Sequence, residues 1–236
     1  MNANGFEKLH GIDEMDEKQV LTLCRTAEWL TRQKLSGTIE LYRPVKVQTG
    51  RTPRQTGARR IRRTNVMKRI GILGAGTWGM ALARMLTVSG NDVLVWSAIE
   101  KEIDSLSTTR KHPNLPQMKI PDELRFTKSI EEVCKDKDIL LFAVPSVFVR
   151  STAAKARPYV ADGQIIVDVA KGIEPDTLYT MTEILADELG KEGGPKGVRL
   201  VALSGPTHAE EVAIDLPTTI VSASKDREAA AYVQEV

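Results

Sequence analysis

The 236 residues carry 33 Lys and Arg against 31 Asp and Glu, a formal net charge of +2 at pH 7, and 42% are hydrophobic while 5% are aromatic. That length and apolar content are enough to bury a full α/β core and hold more than one unit. Two cysteines far apart, Cys24 and Cys134, make neither a disulfide framework nor a metal-ligand spacing, which points to a reducing compartment.

At the amino end, Glu7, Asp13, Glu14, Asp16 and Glu17 stand where a signal peptide needs an apolar segment. Residues 1–66 hold 13 Lys and Arg against 7 Asp and Glu, net +6, so residues 67–236 are net −4. Within the first region, residues 19–35 have a helical period, with Val20, Leu23, Ala27 and Leu30 on one face. Residues 42–65 are basic and poor in large apolar side chains; Arg51, Arg54, Arg59, Arg60, Arg62 and Arg63 crowd among Thr, Gly and Gln. Such a run reads as a solvated arm, with a nucleic-acid contact as the sharper alternative. The expected boundary is Met67. Residues 1–66 then form an extension of short helix plus basic arm, and residues 67–236 a dinucleotide-binding domain that needs nothing upstream.

The stretch from Lys68 to Gly79 is an apolar strand that meets glycines and turns into a helical pattern. The spacing Gly74-x-Gly76-x-x-Gly79 suits a dinucleotide pyrophosphate. Gly74 makes the sharp turn, Gly76 has no side chain where backbone meets phosphate, and Gly79 lets helix and strand pack closely. The free N–H groups of a helix starting near Thr77 face the anion. Residues 80–86 continue at helical period, and a second strand at 92–96 completes a βαβ unit.

Alternation continues from there. A helix is expected near residues 100–107, a Pro-punctuated loop at 112–121, an extended piece at 124–126 and a short helix capped by Ser129. Residues 138–144 lead from Asp138 into a continuously apolar run, the mark of a strand buried on both faces of a parallel sheet. The longest apolar run, 139–149, contains Pro145 and is too short to cross a bilayer. The reading is a soluble cytoplasmic protein. Further strands are expected at 164–169, 198–203 and 218–222, helices at 147–157 and 176–189, and a Gly-rich turn at 190–197. The fold class is α/β, a Rossmann-type doubly wound, mainly parallel sheet, whose ligand crevice lies at the carboxyl ends of the strands. That rule selects the loops at 74–78, 97–99, 145–146, 170–172 and 204–208.

Those loops carry four motifs in order: Gly-Ala-Gly-Thr-Trp-Gly at 74–79, Val-Pro-Ser at 144–146, Ala-Lys-Gly-Ile-Glu at 170–174 and Leu-Ser-Gly-Pro-Thr-His-Ala-Glu-Glu at 203–211. In this order and spacing, residues 67–236 resemble the NAD(P)-dependent glycerol-3-phosphate dehydrogenases. The resemblance implies an oxidoreductase that interconverts dihydroxyacetone phosphate and sn-glycerol 3-phosphate with NAD(P)H, in cytoplasmic phospholipid synthesis. It gives Thr77, Trp78, Ser97, Pro145 and Ala209 a place at the cofactor beside the three glycines. It sets Lys171 against both cofactor and substrate, in a supporting catalytic role, and assigns Gly205 and Thr207 to the glycerol phosphate. No metal is implied, and the full-length form can be a homodimer. Each residue also has a plainer reading: Trp78 as packing, Lys171 as a solvated loop lysine, Thr207 as a helix cap. His208 titrates near neutrality and is a tempting acid–base group, but the family does not give it the proton.

Two departures limit the resemblance. After the second strand, Ser97-Ala98-Ile99 contains neither the Asp or Glu that binds an NAD ribose nor the Arg or His that binds the NADP phosphate. With Ser97 small and Lys101 close by, the two cofactors are expected to bind within about tenfold, ~1.4 kcal/mol, of each other. The family's proton-transferring lysine lies in a helical C-terminal substrate domain, beyond the position matched by Val236. The expectation is a fragment holding the cofactor domain. The alternatives are a non-catalytic dinucleotide-binding module and an interaction protein whose basic arm binds nucleic acid.

Overall fold

The structure, a computed structural model, describes residues 66–236. The helix at 19–35, the basic arm, Cys24 and most of the 1–66 extension therefore lie outside the described residues.

The described chain begins with the βαβ unit that the glycines announced. Strand β1 (Arg69–Leu73) leads into helix α1 (Thr77–Val88) and strand β2 (Asp92–Trp96). Helix α2 (Glu100–Thr109), strand β3 (Arg125–Thr127) and helix α3 (Ile130–Cys134) follow. In the expected place, the Ser129 hydroxyl accepts from the Glu132 backbone N–H at 3.2 Å and caps α3. Strand β4 (Ile139–Phe142), a 3-10 turn and helix α4 (Val149–Ala156) come next, then strand β5 (Ile165–Asp168) and helix α5 (Met181–Leu189). Strand β6 (Arg199–Ser204), helix α6 (Ala209–Val212), strand β7 (Val221–Ser224) and helix α7 (Arg227–Glu235) complete it.

Among the described residues these strands form one seven-stranded sheet in the order β3-β2-β1-β4-β5-β6-β7. All neighbours are parallel except β6 and β7. Alternation along each strand feeds two cores. Ile70, Ile72, Val93, Val95, Ile139 and Leu141 pack with α1, while Leu94, Trp96, Leu140, Phe142 and Ile166 pack with α3, α4 and α5. Strands such as β4, buried at every residue, need apolar side chains on both faces, so their sequences run apolar without a break. Complete burial of one such Leu or Ile is worth roughly 1.5–3 kcal/mol.

Two expectations are corrected, and one helix is added. The helix placed at 176–189 starts at Met181. Thr180 and Glu183 form a reciprocal capping box there, and the preceding residues return to a bridge between Ile173 and Thr180. The strand placed at 218–222 lies at Val221–Ser224, because the antiparallel register sets Val221 opposite Ser204 and Ser224 opposite Val201. Residues 219–220 instead wrap over Gly205, where an added Cβ would lie 2.3 Å from the Thr219 carbonyl oxygen. Helix α7 was not foreseen at all. Its apolar face is mostly alanine, a weak periodic signal, but Asp226 caps it by accepting from the N–H groups of Glu228 and Ala229 at 2.9 and 3.1 Å.

Among the described residues, no helix is long and apolar enough to cross a membrane, and no group of three or more His, Cys, Asp or Glu side chains is placed to hold a metal ion. Cys134 is buried, and burial pushes its thiol up to about 12.

Candidate dinucleotide-binding site

The strand order reverses between β1 and β4, and a doubly wound sheet opens its crevice at that switch point. The glycine turn sits there. Gly74 has φ +122°, donates its N–H to the Trp96 carbonyl at 2.8 Å, and leaves no room for a side chain, since a Cβ would lie 2.6 Å from the Ala143 carbonyl oxygen. At Gly79 a Cβ would meet the Gly74 oxygen at 2.2 Å and the Ala143 methyl at 3.1 Å, so this glycine lets helix, turn and β4 close together. Gly76 differs from both. It is exposed, and a Cβ there would have nothing within 4 Å. The space beside it is open to a ligand, so the cradle has the form a pyrophosphate requires.

Helix α1 is ready for an anion. Its first internal bond runs from Met80 N–H to Gly76 C=O at 2.9 Å, which leaves the N–H groups of Thr77, Trp78 and Gly79 without helical partners. No side chain caps it and no acidic residue lies in its first turn, whereas α2, α3 and α7 each carry Glu there. Its positive end is therefore uncompensated. The Thr77 hydroxyl accepts from the Asn114 amide at 3.4 Å, and Trp78 is half-buried against the core together with Ala209.

Sequence reasoning missed His112. Its ring is buried, hydrogen-bonds the Ala75 backbone under the turn, and accepts from the Asn114 N–H at 3.3 Å. Desolvation lowers its pKa, so the neutral ring props the turn without adding charge. The signal available was a histidine inside a Pro-rich loop, which says nothing of where the loop packs.

At the carboxyl end of β2, Ser97 is buried and its hydroxyl makes two hydrogen bonds. It accepts from the Ile99 N–H at 3.1 Å and donates to the Glu102 carboxylate at 2.5 Å. Residues 97–99 lack an acid, but the fold brings one back from the first turn of α2.

The other half of the crevice is built by the loops after β4, β5 and β6. Pro145 is exposed and starts the 3-10 turn, accepting from the Phe148 N–H at 2.8 Å. Gly172, with φ +148°, passes close to Ser146, where a Cβ would come within 3.1 Å of the Ser146 Cβ. The Lys171 ammonium donates to the Gly205 carbonyl at 3.1 Å, and that oxygen also accepts from the Thr207 N–H at 2.9 Å. Three of the residues singled out in the sequence thus meet at one oxygen atom. Thr207 does not cap the following helix. His208 occupies the cap position, exposed and without a side-chain cap bond, which removes the plainer reading of Thr207.

The loop carrying Lys171 is held at both ends. Before it, buried Asp168 accepts from the Ala170 N–H at 3.2 Å, and desolvation pushes its carboxyl up to about 7 despite that bond. After it, Glu174 receives two hydrogen bonds from Arg150, each 2.7 Å, and one from the Thr177 hydroxyl at 2.6 Å; these hold its carboxyl down at about 2. Arg150 also pairs with Asp187 on α5. On the other side, Arg84 of α1 makes a bidentate pair with Asp215 at 2.6 and 2.8 Å, fixing the segment after α6 to the helix that starts at the phosphate turn.

Comparison with known proteins agrees with this geometry. The family model for the N-terminus of NAD-dependent glycerol-3-phosphate dehydrogenase matches residues 69–230. A glycerol-3-phosphate dehydrogenase (NAD(P)+) 2 of Lactobacillus delbrueckii subsp. bulgaricus is 67% identical over 170 residues, covering 72% of this chain and 50% of that protein. The Bacillus subtilis glycerol-3-phosphate dehydrogenase (NAD(P)+) is 39% identical over 173 residues, covering 72% of this chain and 49% of that one. A crystal structure of glycerol-3-phosphate dehydrogenase from Coxiella burnetii superposes with a TM-score of 0.63 at 29% identity, over 72% of this chain and 50% of that chain. The chain spans about half the length of the curated relatives it matches.

Proposed function

This chain belongs to the NAD-dependent glycerol-3-phosphate dehydrogenase family, whose N-terminal domain it matches, and from that premise we propose a function for its crevice. The crevice binds NAD or NADP and, within the whole enzyme, serves the interconversion of dihydroxyacetone phosphate and sn-glycerol 3-phosphate. The enzyme works in the cytoplasm, as a homodimer, in the supply of glycerophospholipid precursors.

The residues divide the work by position. The turn at Gly74, Gly76 and Gly79 and the N–H groups of Thr77 and Trp78 receive the pyrophosphate. Ser97 acts at the ribose end, while Pro145 and Ala209 border the cofactor further along the crevice. Gly205 and Thr207 hold the glycerol phosphate. When bound, the nicotinamide supplies or accepts the hydride. Lys171 stabilises negative charge on the reacting oxygen or the phosphate, because an ammonium fixed at a strand's carboxyl end needs little reorganisation. The resemblance leaves proton transfer to a lysine of the family's C-terminal domain, so Lys171 has a supporting role.

The observation that carries this reading is the presence, at the carboxyl end of one parallel sheet, of both an uncapped helix N-terminus at Gly76 and the Lys171 ammonium held to Gly205. Titration calorimetry with NADH and NADPH tests it. Binding of at least one supports the reading. Binding of neither leaves the sheet as a scaffold, which is what an interaction protein with a nucleic-acid-binding arm predicts.

A further inference from the structure

The carboxyl end of β2 is where a doubly wound sheet receives the adenosine ribose, and the hydrogen bond from Gly74 to Trp96 places that end beside the phosphate turn. The group that meets a ligand there is decided by Ser97. Its hydroxyl donates to Glu102 and accepts from the Ile99 N–H, so Ser97 is a positioning residue that holds a carboxylate in place. Glu102 uses one oxygen on Ser97, and its lone pairs elsewhere can still accept from a diol.

Among the described residues, the charge around it is not cancelled. Lys101 follows one step earlier on the helix, about 100° around the axis, on the exposed side. Lys128 pairs with Asp104 at 2.7 Å and Glu100 at 3.6 Å. Arg110 donates to the backbone oxygens of Leu124 at 2.7 Å and Asp122 at 3.2 Å. His112, whose ring feels the Glu102 charge, is held toward its neutral form by burial. A ribose 2′-hydroxyl donates to such a carboxylate, whereas a 2′-phosphate brings a like charge against it.

The geometry points to Glu102, set by Ser97, as a specificity residue that favours NAD(H) over NADP(H). This rests on the dinucleotide reading above and replaces the expectation of near-equal binding drawn from residues 97–99. The carboxylate lies five residues beyond Ser97, outside the strand end where such an acid is usually sought. Only the turn into α2 brings it back.

The test is direct binding of NADH and NADPH, by titration calorimetry, to the 236-residue chain and to Glu102→Gln. The glutamine keeps a partner for the Ser97 hydroxyl but removes the charge. The expected result is that the parent binds NADH about tenfold or more tightly than NADPH, and that the variant loses most of this ratio by binding NADPH better. A second measurement needs only the parent: the preference should shrink as salt rises from about 0.05 to 0.5 M, because screening weakens the repulsion. Equal binding, a preference for NADPH, or a ratio that neither the variant nor salt changes overturns the proposal. If neither cofactor binds, the dinucleotide reading itself fails.

Discussion

The Lys171 ammonium lies 3.1 Å from the Gly205 carbonyl oxygen, a contact that ties the loop after β5 to the loop after β6. Lys171 itself is exposed, yet it has a defined place because it reaches the buried Gly205, whose carbonyl also takes the Thr207 N–H. Replacing Lys171 by Met removes a cation from the crevice while leaving the core untouched. NADH affinity is expected to fall about tenfold, the usual worth of one charge-assisted contact. Thermal melting of the unliganded protein should move by no more than a degree or two. A Met variant that binds NADH as tightly as its parent would remove Lys171 from the cofactor site.

The glycines of the turn should separate cleanly by experiment. Gly76 has extended backbone, φ −67° and ψ 178°, and open space beyond it, so Gly76→Val costs the unliganded fold little. Its branched side chain fills the phosphate position, and NADH affinity is expected to drop by several kcal/mol, roughly a hundredfold or more. Gly79→Ala behaves the opposite way. Its Cβ collides with backbone at 2.2 Å, and the unliganded protein should lose about 1–3 kcal/mol of stability. Denaturant titrations and calorimetry on both variants distinguish a ligand-facing glycine from a packing one. A Gly76→Val protein that melts early but binds normally would invert the assignment.

Asp168 makes stability fall as pH rises. Its carboxyl is pushed from 3.8 up to about 7 in the fold, so between those values the unfolded chain is ionised while the folded one keeps its proton. The folded state then binds more protons, and stability declines with pH by at most about 1.4 kcal/mol per unit across that window. The contribution is fully present below about pH 4 and gone above about pH 7. Asp168→Asn keeps an acceptor for the Ala170 N–H and cannot ionise. Its melting temperature, relative to the parent, should therefore climb from pH 5 to pH 8. A constant difference between the two proteins over that range would show that Asp168 titrates normally.

Arg150 anchors the far end of the Lys171 loop through Glu174. Replacing it with Met leaves Glu174 with the Thr177 hydroxyl alone, and the segment 171–179 should open more often. Amide exchange there is expected to speed up a few-fold, the modest effect of losing a solvent-screened ion pair. Exchange in β4 and β5 should stay unchanged. Acid acts on the same link: Glu174 is held at about 2, so its contribution is present above the ordinary carboxylate range and lost only as pH falls toward 2.

Much of this was legible in the sequence because the signals are local. An apolar run bounded by glycines reads as β1 and its turn, and uninterrupted hydrophobicity at 139–142 reads as a central strand. Ser129 three residues before Glu132 reads as a cap. The gathering of Lys171, Gly205 and Thr207 was legible only as a rule about strand ends. No spacing in the chain shows that a lysine and a glycine 34 positions apart share an oxygen. Glu102 and His112 were not legible, since both reach the crevice by the way α2 and its following loop fold back. The β6–β7 pair was placed early in the chain because antiparallel register, which sequence does not display, fixes which residues pair.

Ala143 is a hidden partner of the glycine turn. It belongs to no phosphate-binding spacing and stands far downstream in the chain, yet its oxygen limits Gly74 and its methyl limits Gly79. Residue 143 bounds the turn from the sheet side as residue 79 bounds it from the helix side. The size limits at 74, 79 and 143 are thus a single steric condition on three residues. Variation among related chains should respect it jointly: where 143 grows, the turn must widen or β4 must shift, and the crevice changes shape without any alteration in the glycines themselves.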